Sequence, residues 1–143
     1  GADTILNHRN NLHDKLKATG TDSVDAIFCT TQMERHWQAM AESIRPQGCI
    51  VLIDDPVDPV DITVFKFKSV AISWEFMYTR SMFATEDIAE QGKLLATVAG
   101  LLDEGTLVTT RKKTFNGLTP ENIQAMHIKQ ESGTMMGKQV LKL

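Results

Sequence analysis

A chain of 143 residues with 42% hydrophobic and 23% charged residues is one ordinary domain's worth of material, able to bury roughly 70% of the surface its unfolded form exposes. A net charge of −3 and scattered basic residues leave no electrostatic footprint for nucleic acid or an anionic membrane, and no apolar run approaches the ~20 residues of a bilayer span. No signal-peptide core opens the chain, and two cysteines are too few for a disulfide framework.

Cys29 and Cys49 each stand at one end of a strand-like apolar run, so both are expected to be buried and reduced, in a cytoplasmic protein. The chain begins without methionine and moves at once into ordered-looking sequence, as a piece of a longer chain would. Residues 4–6 read as a short strand, and Asn10 or Asn11 can then cap a helix that turns Leu12 and Leu16 inward and ends at Gly20. Residues 25–29 form a second strand. Met33, Trp37, Met40, Ala41 and Ile44 follow at the spacing of one helix face, which Pro46-Gln47-Gly48 terminates.

Residues 49–53 are a continuous apolar run, expected of a strand covered on both faces. Residues 54–61, with Asp54, Asp55, Pro56, Asp58, Pro59 and Asp61, must be a loop. A further strand spans 70–77. Thr85, Glu86 and Asp87 start a helix whose inward face is Ile88, Leu95, Val98, Ala99 and Leu102, closed by Gly105. Four strand–helix alternations in about 105 residues predict an α/β fold with a parallel sheet covered by helices. After Gly105 the pattern changes. A polar, β-prone stretch at 108–115 leads to a helix capped by Thr119-Pro120 and closed by Gly133, and a last strand spans 137–143.

Ligands of open parallel sheets bind beyond the carboxyl ends of the strands. The residues there are Asn7-His8-Arg9, Cys29-Thr30-Thr31, Ile53-Asp54-Asp55 and Trp74-Glu75-Phe76. Hydroxyls, an imidazole and backbone amides suit a nucleotide, but any such strand must end in turn-forming residues, so none specifies a ligand alone. The nine glycines are dispersed and make no G-x-G-x-x-G turn or P-loop. Catalytic groups are sparse. The four histidines are not at metal-ligand spacing with either cysteine, and His127 reads as a packed or half-buried side chain. Asp54 and Asp55 are adjacent and so point apart, and no Ser-His-Asp or Cys-His set emerges.

Several segments taken in order carry a resemblance: residues 1–8 (Gly-Ala-Asp-Thr-Ile-Leu-Asn-His), 25–31, Met33 to Asp55 with its His36-Trp37 and Ile44 to Gly48 before Ile50 to Asp54, residues 73–83 above all, and Glu131-Ser132-Gly133 with Gly137 to Leu141. They resemble the zinc-type alcohol dehydrogenase-like and quinone oxidoreductase-like proteins of the medium-chain dehydrogenase/reductase superfamily. The resemblance implies a partial Rossmann domain over residues 1–105, lacking its first βα unit and Gly-rich turn. It implies that residues 106–143 return to a GroES-like catalytic domain outside this chain. The whole enzyme would transfer hydride between NADP (or NAD) and a carbonyl, quinone or activated alkene or alcohol, a small-molecule substrate; the piece alone would be inactive.

Position by position, the resemblance places His8 near the adenosine end of the cofactor and Thr30 and Thr31 by the nicotinamide side. Ile53, Asp54 and Asp55 fall in the loop beyond the next strand, where Asp54 replaces a frequent small residue. Ser73, Trp74 and Glu75 match the strand lining the carboxamide pocket, and Lys138 a basic residue that reaches the pyrophosphate. The strand at Ser73–Tyr78 is expected to pair with its symmetry mate in a homodimer. Any zinc ligands would lie outside this chain. Two other readings compete: a dimerising module without activity, and a class I methyltransferase, suggested by Ile44-Arg45-Pro46-Gln47-Gly48 before an apolar strand. The latter would end in an antiparallel hairpin within the same sheet.

Overall fold

The computed structural model describes residues 2–9 and 11–143, so Gly1 and the alternative cap Asn10 lie outside the described residues. The chain packs as two compact units, Gly1–Phe83 and Ala84–Leu143. In the first, α1 (Leu12–Ala18), β1 (Val24–Cys29), α2 (Met33–Ser43) and β2 (Ile44–Leu52) are followed by a 3-10 helix (Ile62–Lys68), β3 (Ala71–Trp74) and α3 (Thr79–Met82). The strands form one parallel sheet in the order β1-β2-β3. The second unit holds α4 (Glu90–Asp103), β4 (Arg111–Asn116), α5 (Pro120–Glu131) and β5 (Lys138–Lys142), with β4 and β5 paired in parallel. This is the mixed α/β, Rossmann-type architecture that the alternating pattern predicts.

The core of the first unit is built by α2. Its buried Met33, Trp37, Met40 and Ala41 are the face read from the sequence, and they pack with Ile44, Ile50 and Leu52 of β2, Cys29 of β1 and Phe65 of the 3-10 helix. Trp37 and Phe65 meet edge to face, ring centroids 5.0 Å apart, while the Trp37 indole N–H donates to the Asp61 carbonyl at 2.9 Å. A buried indole thus keeps its hydrogen bond while the ring packs. α2 runs straight into β2 without a glycine cap. Its last carbonyls find another partner: the Lys68 ammonium donates to Ala41 O (2.7 Å), Glu42 O (3.0 Å) and Ile44 O (2.7 Å). A cation belongs at a helix C-terminus, where carbonyls are unpaired and the dipole is negative.

The turn expected at Pro46-Gln47-Gly48 lies inside β2 as a bulge. Val24 faces Ile44 and Ala26 faces Cys49, so the extra residues of β2 loop out, with Gln47 at φ 59°. A side chain at Gly48 would put its Cβ 2.6 Å from the Ile44 Cδ1 atom, so the bulge needs glycine there.

Several expectations are corrected. Residues 4–6 are in no ladder, and Ile5 is 89% exposed; the apolar run has strand propensity, but no described strand offers it partners. Among the described residues the sheet is covered on one face only. Ile27, Ile50 and Leu52 alternate inward, whereas Ala26, Cys49 and Ala71 are aligned on the other face and Phe28 is 64% exposed. Cys49 is therefore exposed rather than buried, and only Cys29 is a core thiol. The strand expected over 70–77 stops at Trp74, because its partner β2 stops at Leu52 opposite; the last bond is Glu75 N–H to Leu52 O at 2.9 Å.

The helix expected from Thr85 starts at Glu90. The Thr85 hydroxyl bonds the Asp87 carboxylate at 2.6 Å, and residues 86–89 form turns before the helix takes over. Its expected inward face, Ile88, Leu95, Val98, Ala99 and Leu102, is exposed (Leu95 at 63%). His127, on α5, is exposed as well. The ending over 119–143 is helix then strand, and β5 lies beside β4 in its own sheet; the methyltransferase's same-sheet hairpin is absent among the described residues. Asn11, Gly20, Gly105, Thr119 with Pro120, and Gly133 mark their helix ends as read.

Lys68→Met keeps the stem and removes the three ammonium bonds. It is expected to lower unfolding stability by about 1–3 kcal/mol, the cost of leaving such acceptors unanswered, read as a lower urea midpoint at unchanged slope.

Candidate functional site

Parallel register brings the strand exits to one edge. Cys29 lies opposite Leu52 and Leu52 opposite Trp74, so Thr30-Thr31, Ile53-Asp54-Asp55 and Glu75 leave the sheet side by side. The ladder extends one step past the strands, with Ile53 N–H donating to Cys29 O at 3.3 Å. Before β1, the Asn7 side chain accepts from Arg9 N–H at 2.9 Å and the Asn7 carbonyl from the Lys15 ammonium at 2.7 Å, which fixes the turn bearing His8.

His8, Thr30 and Thr31 are thereby brought together at the rim of one pocket of about 280 Å³, floored by Leu12, Ile27 and Met40. Hydroxyls and an imidazole over an apolar floor suit a flat, polar-edged ring such as a purine. His36, which the sequence reading left unassigned, completes the rim from α2; its ring centroid lies 5.4 Å from that of His8 at a 56° tilt. Burial, then the nearby His8 and Arg35 charges, hold the His36 imidazole below its ordinary pKa. Cys29 lines the same pocket, but burial pushes its thiol up; a hydrogen bond to the Thr31 carbonyl opposes this and the Asp54 charge adds to it. It is a structural thiol, not a nucleophile.

The loop after β2 is pinned onto α2 at two points one helical turn apart. The Glu34 carboxylate accepts from Val57 N–H, and Trp37 holds the Asp61 carbonyl. Asp61 in turn caps the 3-10 helix, accepting from Thr63 N–H at 2.8 Å and its hydroxyl at 2.6 Å. Asp54 is half-buried and Asp55 exposed, so the pair does not share one environment. Ser73 and Trp74 end β3 on the free edge of the sheet, Trp74 57% exposed, with Glu75 exposed beyond it. Lys138 opens β5 in the second unit. Trp37 was legible as part of the apolar face of α2; that it and Glu34 clasp a loop was not.

Among the described residues no three His, Cys, Asp or Glu side chains could hold a metal ion. A zinc site is not a fit to these residues. No helix among them is long and apolar enough to cross a membrane.

Residues 1–141 match the zinc-binding dehydrogenase family. The chain belongs to it. A zinc-type alcohol dehydrogenase-like protein of Staphylococcus aureus (strain MRSA252) is 33% identical over 143 residues, which are 100% of this chain and 43% of that protein. The crystal structure of a Rhizobium etli CFN 42 protein, described as a candidate zinc-dependent alcohol dehydrogenase, superposes with TM-score 0.89 at 40% identity, covering 100% of this chain and 42% of the other. A mycobacterial protein solved with NADPH shares the fold, with TM-score 0.74 at 17% identity over 100% of this chain and 43% of its own. The chain therefore spans less than half the length of each of these proteins.

Hydrogen bonds to backbone N–H hold the Glu34 carboxyl below its ordinary pKa, and those of Thr63 do the same for Asp61. A depressed folded-state value contributes stability above the unfolded values of about 4.3 and 3.9, and that stability is lost as pH falls through the folded ones. The Glu34→Gln/Asp61→Asn variant is expected to show a flatter acid limb than the unmodified chain when urea midpoints are compared from pH 6 to pH 2.

Proposed function

We propose that this chain is the later part of an NAD(P)H-dependent oxidoreductase that moves hydride between the nicotinamide and a carbonyl, quinone or activated alkene or alcohol. The observation that carries the reading is the alignment of three parallel strand exits beside a pocket rimmed by His8, Thr30 and Thr31. The NADPH of the mycobacterial fold relative and the alcohol dehydrogenase descriptions of the two nearer relatives support it. Residues 1–105 would continue the dinucleotide-binding sheet and 106–143 return to the catalytic part. His8 would meet the adenosine end, and Thr30, Thr31, Ile53, Asp54 and Asp55 the cofactor's course along the sheet edge. Ser73, Trp74 and Glu75 would line the carboxamide side, and Lys138 would answer the pyrophosphate. The cofactor supplies the hydride chemistry, and the protein orients it and keeps water away.

Calorimetric titration with NADPH and NADH tests this on two proteins: the chain alone, and a chimera joining it to the portion of the Rhizobium etli relative that the superposition leaves uncovered. Binding is expected for the chimera and little for the chain alone. Equally tight binding by the chain alone would mean that its strand exits form a complete site unaided. No binding by either would end the oxidoreductase reading.

A second reading, compatible with the first, is self-association. β3 is a free sheet edge, and Trp74, Phe76, Met77 and Tyr78 beyond it are exposed, with Phe76 and Tyr78 edge to face at 5.5 Å. An exposed apolar strand edge invites pairing with a second copy. Sedimentation is expected to show a dimer that Met77→Glu/Tyr78→Glu converts to monomer; a monomer before substitution would remove this reading.

A further inference from the structure

Two cavities beside His8, one rimmed by Thr30 and Thr31 and one lined by Arg9 and Arg35, lie where the cofactor reading already puts a nucleotide. A third, of about 450 Å³, lies wholly within the second unit and has no part in that reading. Its walls come from β4, α5 and the loop before β5. Neighbouring residues on a strand point to opposite faces, yet Lys112 and Lys113 both line this cavity. A bulge is the reason: Arg111 faces Lys138 and Lys113 faces Gln139, so Lys112 is the extra residue and escapes the alternation. Its stem lies against Gly137, where a Cβ would come within 2.7 Å of the Lys112 Cγ atom. Phe115 follows Lys113 on the same face, and the Lys113 ammonium lies 4.2 Å from its ring centroid. Ala125 and Lys129, one turn apart on α5, close the other side, and the Lys129 ammonium donates to the Thr134 hydroxyl at 2.8 Å. No acid lines the cavity, and among the described residues none of the three ammoniums has an ion-pair partner. Gln139 completes the wall. Its amide N–H donates to the Met126 carbonyl at 3.2 Å, while its amide oxygen is shielded from solvent and has no partner, an acceptor that the chain itself leaves unanswered.

We propose that this cavity is a binding site for a small aromatic carboxylate, separate from the cofactor site and independent of it. Three unpaired ammoniums stand at the rim of a pocket whose remaining walls include Phe115, Ala125, Met135 and Met136, so the fitting ligand carries one anionic group on an apolar body. Phosphate is usually gripped by guanidinium forks or by a helix N-terminus, and this cavity is lined by neither. α5 turns its C-terminal end toward it, since Lys129 lies in the last turn and Thr134 to Met136 follow. The partial negative charge there opposes a phosphate dianion more than a carboxylate monoanion. The Phe115 ring offers a partner to a flat ring, and the two thioethers adapt to its edge. The bulge and Gly137 then have a chemical consequence: they bring a second ammonium to the side where strand alternation would place one. Binding involves no covalent step.

The chain is titrated with 2-naphthoate, with its neutral counterpart 2-naphthalenemethanol and with inorganic phosphate, by calorimetry and by amide NMR to locate the site. 2-Naphthoate is expected to bind about tenfold more tightly than the alcohol, the return of one charged hydrogen bond, and to shift the Phe115, Ala125 and Met135 signals. Lys113→Gln and Lys129→Gln, both at exposed positions, are each expected to shrink that ratio several-fold. The alcohol's affinity is expected to stay unchanged in both variants, which reports that the cavity persists. Equal affinity for 2-naphthoate and the alcohol would overturn the proposal, as would failure of both to bind or signal shifts centred elsewhere. Phosphate binding as tightly as 2-naphthoate would overturn it too, marking a basic patch without a ligand's shape. Loss of 2-naphthoate binding in the chimera with the Rhizobium etli portion would also overturn it, marking a cavity that a longer chain covers. None of these outcomes bears on NADPH binding by that chimera, so the cofactor reading is decided separately.

Discussion

The seating of α2 on β1 and β2 is the contact on which the rest of the first unit depends. Among the described residues, five of the nine buried apolar side chains, Met33, Trp37, Met40, Ala41 and Ile44, belong to this helix or its first following residue, so removing its face would remove most of the core. The same helix anchors the loop after β2 and lines the candidate cavities nearby. Its first turn holds the loop after β2 through Glu34, and its second holds that loop again through Trp37. Arg35 and His36, between these two, face the cavities beside His8. Core packing and the lining of these cavities thus occupy two sides of one short helix, and its end is closed by Lys68 from an element that the helix itself packs against.

The elements that could be read from sequence are those in which periodicity and burial coincide. α2 shows its 3.6-residue spacing because one face is buried and the other wet. β1 and the second half of β2 appear at nearly their true bounds because their inward residues face that helix, whereas the first half of β2 was read as helix end and turn. Three of the misreadings share a cause. Residues 4–6, the β3 extension to residue 77 and the apolar face over 88–102 all have the composition of buried structure, and among the described residues none has a partner that would bury it. Composition states what a segment is able to bury; it is silent on whether the covering surface lies in the same stretch of chain.

The candidate site divides along the same line. Strand-exit positions follow from topology, so Thr30 and Thr31 could be picked out from the order of elements; His8 was picked as the exit of a strand at 4–6 that does not form, yet it meets them at one pocket. The contributors from α2 could not. Glu34, Arg35 and His36 sit on a helix whose apolar residues dominate its pattern, and charged residues on such a helix read as solvated surface. What gives them meaning is the left-handed Gln32 at φ 51°, which starts α2 immediately beyond the Thr30-Thr31 exit and brings its first turn beside His8. That backbone turn leaves no signature in hydropathy.

The second unit shows how little of such a fold is needed to fix local geometry. Among its described residues no side chain is buried, yet β4 and β5 keep a parallel register from Arg111–Lys138 to Asn116–Lys142. Part of the reason is steric. Gly137, at φ 75°, passes so close to the Thr110 carbonyl that a Cβ would lie 2.3 Å from it, and Lys138 N–H donates to that same oxygen at 2.8 Å. A glycine immediately before the strand therefore sets where β5 enters its ladder, and with it where Lys138 stands. The position of that lysine is decided by the backbone of its neighbour, while the exposed leucines of α4 hold apolar surface in reserve. Local rules of turn and ladder can specify each element here, but only a surface that covers α4 and the open sheet face can supply the burial that usually stabilises such elements.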